Sequence, residues 1–362
     1  MYIKNLVLKN YRNYEVQEFD FINGINILIG NNAQGKTNCA EAIFYLCSGY
    51  SPRAVRDKQV VKYGEKFATV IGKAVSNYGD VEVAINFNST SQKTVKVNGA
   101  PIKKIGELMG NINAVYFNPD DLKLIKESPE DRRRFMDISL SQISRRYFYA
   151  LKNYKKILEE RNNLLKNSSK EEILEVVEMW NAQLMEQAKT ICNERLKFLK
   201  NLCPKAQEKH AYLTENKEVL DIIPEIKYLN GDSFDSEFYL SSMRERLDRD
   251  IILGYTTLGP HRDDIKIKIN GQDVRDFGSQ GQQRTASISL KLAELEIFRD
   301  KFLEYPVFIL DDALSELDGH RRERLLSQLE GKQTIITCTE IFDKLPENQS
   351  IKTFTISNGK VI

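Results

Sequence analysis

The sequence predicts an α/β fold: a mixed sheet with flanking helices, an antiparallel sheet at its start and a helical lobe inserted into it. Three observations carry that expectation. The apolar run Ile25–Ile29 leads into Gly30-Asn31-Asn32-Ala33-Gln34-Gly35-Lys36-Thr37, which opens a segment of helical periodicity. A second apolar run, Val307-Phe308-Ile309-Leu310, ends in Asp311-Asp312. Between them, over about 129–249, the pattern turns helical and heavily charged, with strand signals on either side.

In chain order, residues 3–8 and 15–21 read as strands, the second followed by an Asn23-Gly24 turn. Val81, Val83, Ile85 and Phe87 alternate against 94–97, which closes on Asn98-Gly99. Ala40, Ile43, Phe44 and Leu46 give 38–46 a helical face. Leu184, Ala188, Ile191, Phe198 and Leu202 do the same inside the charged stretch, which is too short for a long coiled-coil arm. Strand signals resume after Ile252, where Ile265, Ile267 and Ile269 precede an Asn270-Gly271 turn. No repeat of 20–50 residues is evident.

The glycine-bounded loop has the G-x-x-x-x-G-K-T spacing of a phosphate-binding loop, in the strand–loop–helix setting that this chemistry requires. Gly30 and Gly35 let the backbone approach phosphate oxygens. The amides of Asn31, Asn32, Ala33 and Gln34 turn inward, together with the positive end of the helix dipole. Lys36 is expected to reach the β- and γ-phosphates and the Thr37 hydroxyl to hold Mg²⁺. A nucleoside triphosphate, ATP, is the expected ligand. Asp311 sits where a buried parallel strand delivers a carboxylate to the sheet edge that also carries the loop. It is expected to complete the Mg²⁺ shell with Thr37, while Asp312 orients or deprotonates the attacking water.

Ser279-Gln280-Gly281-Gln282 precedes a long amphipathic helix whose Ile288, Leu292, Leu295, Phe298 and Phe302 share one face. Unpaired amides and the dipole make its start a second anion-binding end. S-x-G-Q here matches the signature of the ATP-binding-cassette class, and Ser315-Glu316-Leu317-Asp318 matches that class's D-loop. Taken alone, Ser279 and Gly281 also fit an ordinary helix cap. Four motifs in cassette order give an ABC-type P-loop ATPase head as the expected fold. The expected division is an ATPase part at 1–128, a helical insertion lobe at 129–250, and the returning ATPase part at 251–362. In this class the signature of one subunit caps the γ-phosphate held by another's loop. A chain with one of each completes its sites as an ATP-dependent, head-to-tail homodimer.

Longer blocks carry a closer likeness. Asn10-Tyr11-Arg12-Asn13-Tyr14, the loop continuing as Asn38-Cys39-Ala40-Glu41-Ala42-Ile43, and Ser128-Pro129-Glu130-Asp131-Arg132-Arg133-Arg134-Phe135-Met136-Asp137 resemble the RecF family. So do Gly259-Pro260-His261-Arg262-Asp263-Asp264, residues 278–284 and residues 311–318. These are bacterial recombination and repair ATPases of the ABC/SMC-like class, and the blocks cover almost the whole chain. The resemblance implies ATP-dependent binding of DNA (single-stranded, gapped or duplex), dimerisation, and work with RecR and RecO in placing recombinase on gapped DNA. Two departures bear on rate. Asp312 stands where the cassette pattern has Glu, which fits slow hydrolysis. Residues 334–339 carry threonines where a switch histidine is usual, with Thr337 or Thr339 in its place. No Gln occurs in Phe117-Asn118-Pro119-Asp120-Asp121, so the Q-loop position stays unassigned.

The insertion holds the DNA candidates. Arg132, Arg133, Arg134, Arg145, Arg146, Lys152, Lys155, Lys156 and Arg161 face only Asp137, Glu159 and Glu160, with Tyr147, Phe148, Tyr149 and Tyr154 interleaved. Basic helices contact phosphates without reading sequence, and exposed aromatics stack on unpaired bases. The same pattern fits a solvated helix face with its aromatics in the core. Arg12 reads as an ATP contact or as a surface charge.

Bulk properties set the frame. The chain has 362 residues, a net charge of +2 that says nothing about polyanions, and no run approaching the roughly 20 apolar residues of a membrane span. The N-terminus has no apolar secretion core, and five cysteines without a C-x-x-C pair read as reduced thiols. A cytoplasmic protein without membrane contact is expected. A cassette ATPase driving a separate membrane transporter is the rival reading. The basic insertion and the D-loop favour DNA.

Overall fold

The computed structural model describes residues 1–54, 56–88, 93–231, 233–315, 317–340, 346 and 349–362. The chain opens with β1 (Tyr2–Tyr11), β2 (Tyr14–Asp20), β3 (Ile25–Ile29) and α1 (Lys36–Ser48). There follow β4 (Phe67–Ser76), β5 (Gly79–Asn88), β6 (Lys93–Val97), β7 (Ala100–Pro101) and β8 (Ala114–Phe117). The helical stretch comprises α2 (Lys123–Lys126), α3 (Pro129–Ile143), α4 (Arg145–Asn167) and α5 (Lys170–Thr214). Then come β9 (Leu220–Glu225), β10 (Leu229–Asn230), β11 (Ser233–Phe234), α6 (Ser236–Glu245) and α7 (Leu247–Leu253). The return is β12 (Asp264–Ile269), β13 (Gln272–Asp273), α8 (Val274–Phe277), α9 (Gln280–Phe302) and β14 (Val307–Asp311). The chain closes with α10 (Gly319–Ser327), β15 (Thr334–Cys338), β16 (Ile351–Ser357) and β17 (Lys360–Val361).

Two six-stranded sheets share α1 between them. The first, in the order β2-β1-β4-β5-β6-β7, is antiparallel throughout. The second, β17-β16-β3-β15-β14-β8, is parallel except for its edge strand β17. Its central strands are covered on both faces, which is why β14 and β15 are buried at every position and not at alternate ones. Period-two geometry then sorts their side chains. Val307, Ile309 and Ile335 face the α1 core, while Phe308, Leu310 and Ile336 face α9 and α10.

The expected amphipathic character of α9 is not what the structure shows. Gln283 and residues 285 to 298 are buried, on every side of the helix. Ile288, Leu292, Leu295 and Phe298 pack on the parallel sheet, and Ala286, Leu290, Ala293 and Ile297 pack in the core of the helical lobe. A helix wedged between two cores has no polar face to leave in water. The lobe itself is built on α5, whose Leu184, Ala188, Ile191, Phe198 and Leu202 are buried as the periodicity predicts. Its small sheet, β13-β12-β9, draws β9 from within 129–250 and β12 and β13 from beyond it. That sheet therefore joins strands from both sides of residue 250.

Candidate functional site

Backbone geometry at the loop needs its glycines. Gly30 has φ 155° and Gly35 φ 120°; a β-carbon at the first would meet the Ile356 carbonyl at 2.3 Å, and at the second the Asn13 side chain at 2.9 Å. Lys36 Nζ donates to the carbonyls of Gly30 at 2.6 Å and Asn31 at 2.8 Å, so the ammonium lies within the loop. Burial lowers the lysine's pKa, opposed by the charges of Asp312 and Asp311. Asn31, Asn32 and Ala33 are exposed at the loop crest.

The loop is strapped from two turns that sequence reasoning passed over. Asn13 Nδ2 donates to the Gln34 carbonyl at 2.8 Å, Tyr14 OH to the Gly35 carbonyl at 2.9 Å, and Asn38 Nδ2 to Asn13 Oδ1 at 2.8 Å. From the β16–β17 turn, Gly359 N donates to the Gln34 carbonyl and Asn358 N to Gln34 Oε1. Asn13 was visible only as part of a motif block, without a role.

Asp311 ends β14 beside this loop. Its Oδ1 accepts from Thr37 Oγ1 at 2.9 Å and Thr337 Oγ1 at 2.6 Å, and its Oδ2 from Tyr116 OH at 2.5 Å. Thr37 and Asp311 present hard oxygen donors at one point, the chemistry that suits Mg²⁺. Among the described residues no cluster of three His, Cys, Asp or Glu side chains could hold a metal alone, so phosphate and water would supply the other ligands. Asp312 is exposed and left-handed, φ 54°, an uncommon conformation for a residue other than glycine. It is held there by Thr337 Oγ1, which accepts from Asp312 N at 3.0 Å, and by Ser315 Oγ, which donates to Asp312 Oδ1 at 3.1 Å. Thr337 is thus buried between the two acids, while Thr339 is exposed beyond β15.

Ser279 is the N-cap of α9, in a reciprocal capping box with Gln282. Gln282 Nε2 also donates to Glu218. Ser279 and Gln280 are exposed, and Gly281 lies against Arg321, whose Nη1 would be 2.8 Å from an added β-carbon. Arg321 belongs to α10 and pairs with Asp318, the N-cap of that helix. Glu316 of the D-loop lies outside the described residues. Among the described residues no hydrogen bond or ion pair joins residues 279–282 to the phosphate loop.

Arg12, expected as an ATP contact or a surface charge, is half-buried and ion-paired. Its guanidinium is clamped by Nε and Nη2 to the two carboxylate oxygens of buried Glu41, at 2.9 and 2.7 Å, and Nη1 caps the Gln59 carbonyl. Arg53 joins the same carboxylate at 2.9 Å and reaches Asn38 Oδ1 at 2.7 Å. These pairings hold Glu41 below its usual range against the upward effect of burial.

The basic stretch divides in two. Arg132 is buried in a bidentate pair with Asp264, and Arg161 is fully buried among Asp250, Thr256 and Asn181. Tyr147 and Tyr154 are core residues, so the expected stacking surface is not theirs. Arg133 donates to the Asp263 carbonyl, Arg134 to the Pro52 carbonyl, and Arg145 to the carbonyls of Met109 and Glu107. Arg146, Lys152, Lys155 and Lys156 are exposed along α4. Lys152 and Lys155 line a cavity of about 840 Å³ between the lobes, together with Arg53, Arg133, Arg134 and Phe148. Its floor includes His261, whose Nδ1 faces Tyr154 OH at 2.7 Å and whose Nε2 donates to the Thr256 carbonyl. Burial brings that imidazole down to about 4. The 259–264 block is thereby explained as a lobe element. Gly259 leaves room for Tyr154 OH, and Asp263 and Asp264 anchor Arg195 and Arg132.

Comparison with known proteins agrees with this geometry. Residues 2–355 match the family model of the RecF/RecN/SMC N terminal domain. The chain is 42% identical over 368 residues to the DNA replication and repair protein RecF of Alkaliphilus oremlandii, covering 100% of both chains. It is 43% identical over 345 residues to that of Ruminiclostridium cellulolyticum, covering 94% of this chain and 93% of the relative. Among solved structures, the recombination mediator protein RecF with ATP in the RecFOR pathway superposes with a TM-score of 0.91 at 35% identity, over 100% of this chain and 97% of that one. An Smc head bound to the C-winged helix domain of ScpA shares the fold at a TM-score of 0.59 and 16% identity, covering 100% of this chain and 97% of that one. No helix among the described residues is long and apolar enough to cross a membrane.

Proposed function

From its place in the RecF/RecN/SMC N-terminal domain family, to which this chain belongs as a RecF-type DNA replication and repair protein, we propose an ATP-driven DNA-binding switch of recombinational repair. ATP lies in the loop 30–37, with Lys36 leaving the loop carbonyls for the β- and γ-phosphates. Thr37 and Asp311 hold Mg²⁺, which neutralises developing phosphate charge when bound. Asp312 orients the water. The observation that carries this reading is the 2.9 Å approach of Thr37 Oγ1 to Asp311 Oδ1, two residues 274 positions apart meeting beside a phosphate loop.

Ser279 and Gln280 at the start of α9 are exposed, which supports their use in trans on a second copy's γ-phosphate. ATP then closes a two-fold dimer, and hydrolysis opens it. Asp312 is a short acid whose backbone is fixed in a left-handed turn, which supports slow turnover. The exposed α4 cations and the mouth of the interlobe cavity supply phosphate contacts for DNA, without sequence readout. RecO and RecR are the proposed co-workers, placing recombinase at gapped DNA.

The test is ATP hydrolysis with and without gapped DNA, in parallel with lipid vesicles. Stimulation by DNA alone is expected. Hydrolysis indifferent to DNA but raised by membranes would favour a transport-type cassette instead.

A further inference from the structure

Asp311 is the one carboxylate in the site that takes three hydroxyls, and they are not equivalent. Thr37 and Thr337 both donate to Oδ1, and Tyr116 alone donates to Oδ2. A cation bound between Thr37 and Asp311 takes a lone pair of the threonine oxygen, whose O–H is free to go on donating to Oδ1. Tyr116 need not move. Its oxygen lies on the far side of the carboxylate from the loop threonine.

The phenol is built into that position. Tyr116 lies on β8, which runs parallel to β14 with Tyr116 opposite Ile309, so its side chain reaches forward to the acid at the strand's end. Its ring packs on Phe44 of α1 at 5.4 Å between centroids, and 6% of the residue is exposed.

We propose that Tyr116 is a positioning residue: by holding Oδ2, it fixes the carboxylate so that Oδ1 faces Thr37 and the incoming cation. This rests on the nucleotide-site reading given above. It gives β8 a part in metal binding that none of the cassette motifs contains. The turn after β8 also carries Asp121, whose side chain pairs with buried Lys291 of α9 at 3.3 Å and whose carbonyl accepts from Ser287. The strand that orients the acid is therefore tied to the helix that carries the signature.

Tyr116→Phe keeps the ring on Phe44 and removes only the hydroxyl. A fluorescent ATP analogue is titrated at increasing Mg²⁺, and again in EDTA. The Mg²⁺ concentration for half-saturation should rise about tenfold, the loss of one hydrogen bond to a charged group, with affinity in EDTA unchanged. Binding of Mn²⁺, followed by electron spin resonance in the presence of the analogue, should weaken in step. A lowered melting temperature with unaltered Mg²⁺ half-saturation would overturn the proposal and leave the phenol a satisfied core group. Wild-type protein whose nucleotide binding ignores Mg²⁺ would overturn it by another route, through the reading on which it rests.

Discussion

Asn13 Nδ2 holds the Gln34 carbonyl at 2.8 Å, so the turn of the first hairpin grips the phosphate loop from outside the motif. The same side chain accepts from Asn38 Nδ2 in the first turn of α1. One residue thus couples the crest of the loop to the helix that follows it. A loop so held is preformed for phosphate, and little conformational entropy remains to be lost on binding.

Asn13→Ala should therefore weaken nucleotide binding about tenfold, two ordinary hydrogen bonds, with a change of only a few degrees in Tm. Fluorescent-nucleotide titration beside a thermal melt checks both. Unaltered affinity would mean that the Gly359 and Asn358 amides hold Gln34 by themselves.

The division of the basic stretch makes a second contrast. Arg132→Ala removes the buried half of a bidentate pair and leaves the part-buried Asp264 only its Ile265 amide, at a cost of about 3 kcal/mol in stability. Lys152→Glu with Lys155→Glu changes exposed charges and should leave Tm within a few degrees. DNA affinity should fall in the double variant, with the slope of log affinity against log salt shallower by about one for each lost phosphate contact. Equal DNA binding by the double variant and wild type would remove α4 from the interface.

These contrasts also mark what the sequence could reveal. The loop, β3 and β14 were legible because a strand covered on both faces becomes a mostly apolar run, and the glycine spacing is a local constraint. The strand β4, flanked by no turn signal as plain as Asn98-Gly99, was not picked out, though it pairs with β5 along its whole length and with β1 from Thr69 to Val75. The fates of Arg132 and Arg161 were hidden because their acids, Asp264 and Asp250, lie 132 and 89 residues away. A charged residue looks the same in a sequence whether water or a distant carboxylate receives it. Tyr116 was hidden likewise, 195 residues from the acid it touches. The face of α9 was read as a single stripe because the second core, in the inserted lobe, is assembled only in three dimensions.

Asp312→Asn keeps the side chain's size and its acceptor for Ser315 but removes the base. ATP should stay bound and the closed dimer should accumulate, seen as a doubled mass by light scattering with saturating ATP and Mg²⁺. Asp311→Asn should behave differently, with weakened Mg²⁺-dependent binding and little dimer. An Asp312→Asn protein that remains monomeric at saturating ATP would remove either the base role or the claim that hydrolysis opens the dimer.

The final prediction joins signature to loop. Ser279 is exposed at the N-cap of α9, so Ser279→Arg adds bulk where a second copy's γ-phosphate would dock, while the chain's own loop is untouched. That protein should bind ATP as a monomer and neither dimerise nor hydrolyse. Loss of the cap costs the helix roughly 1 kcal/mol, well below the stability of a domain this size, so the fold should survive. Lys36→Ala carries the opposite lesion, an intact signature and a loop without its cation. Mixing the two gives heterodimers in which one site has both intact halves and the other has neither. Partial hydrolysis in the mixture, absent from either variant alone, is the expected outcome, with crosslinking to count the heterodimers. Heterodimers that form readily and hydrolyse nothing would show that the two sites fire only together. Full activity of Ser279→Arg alone would end the case for a site shared between two chains.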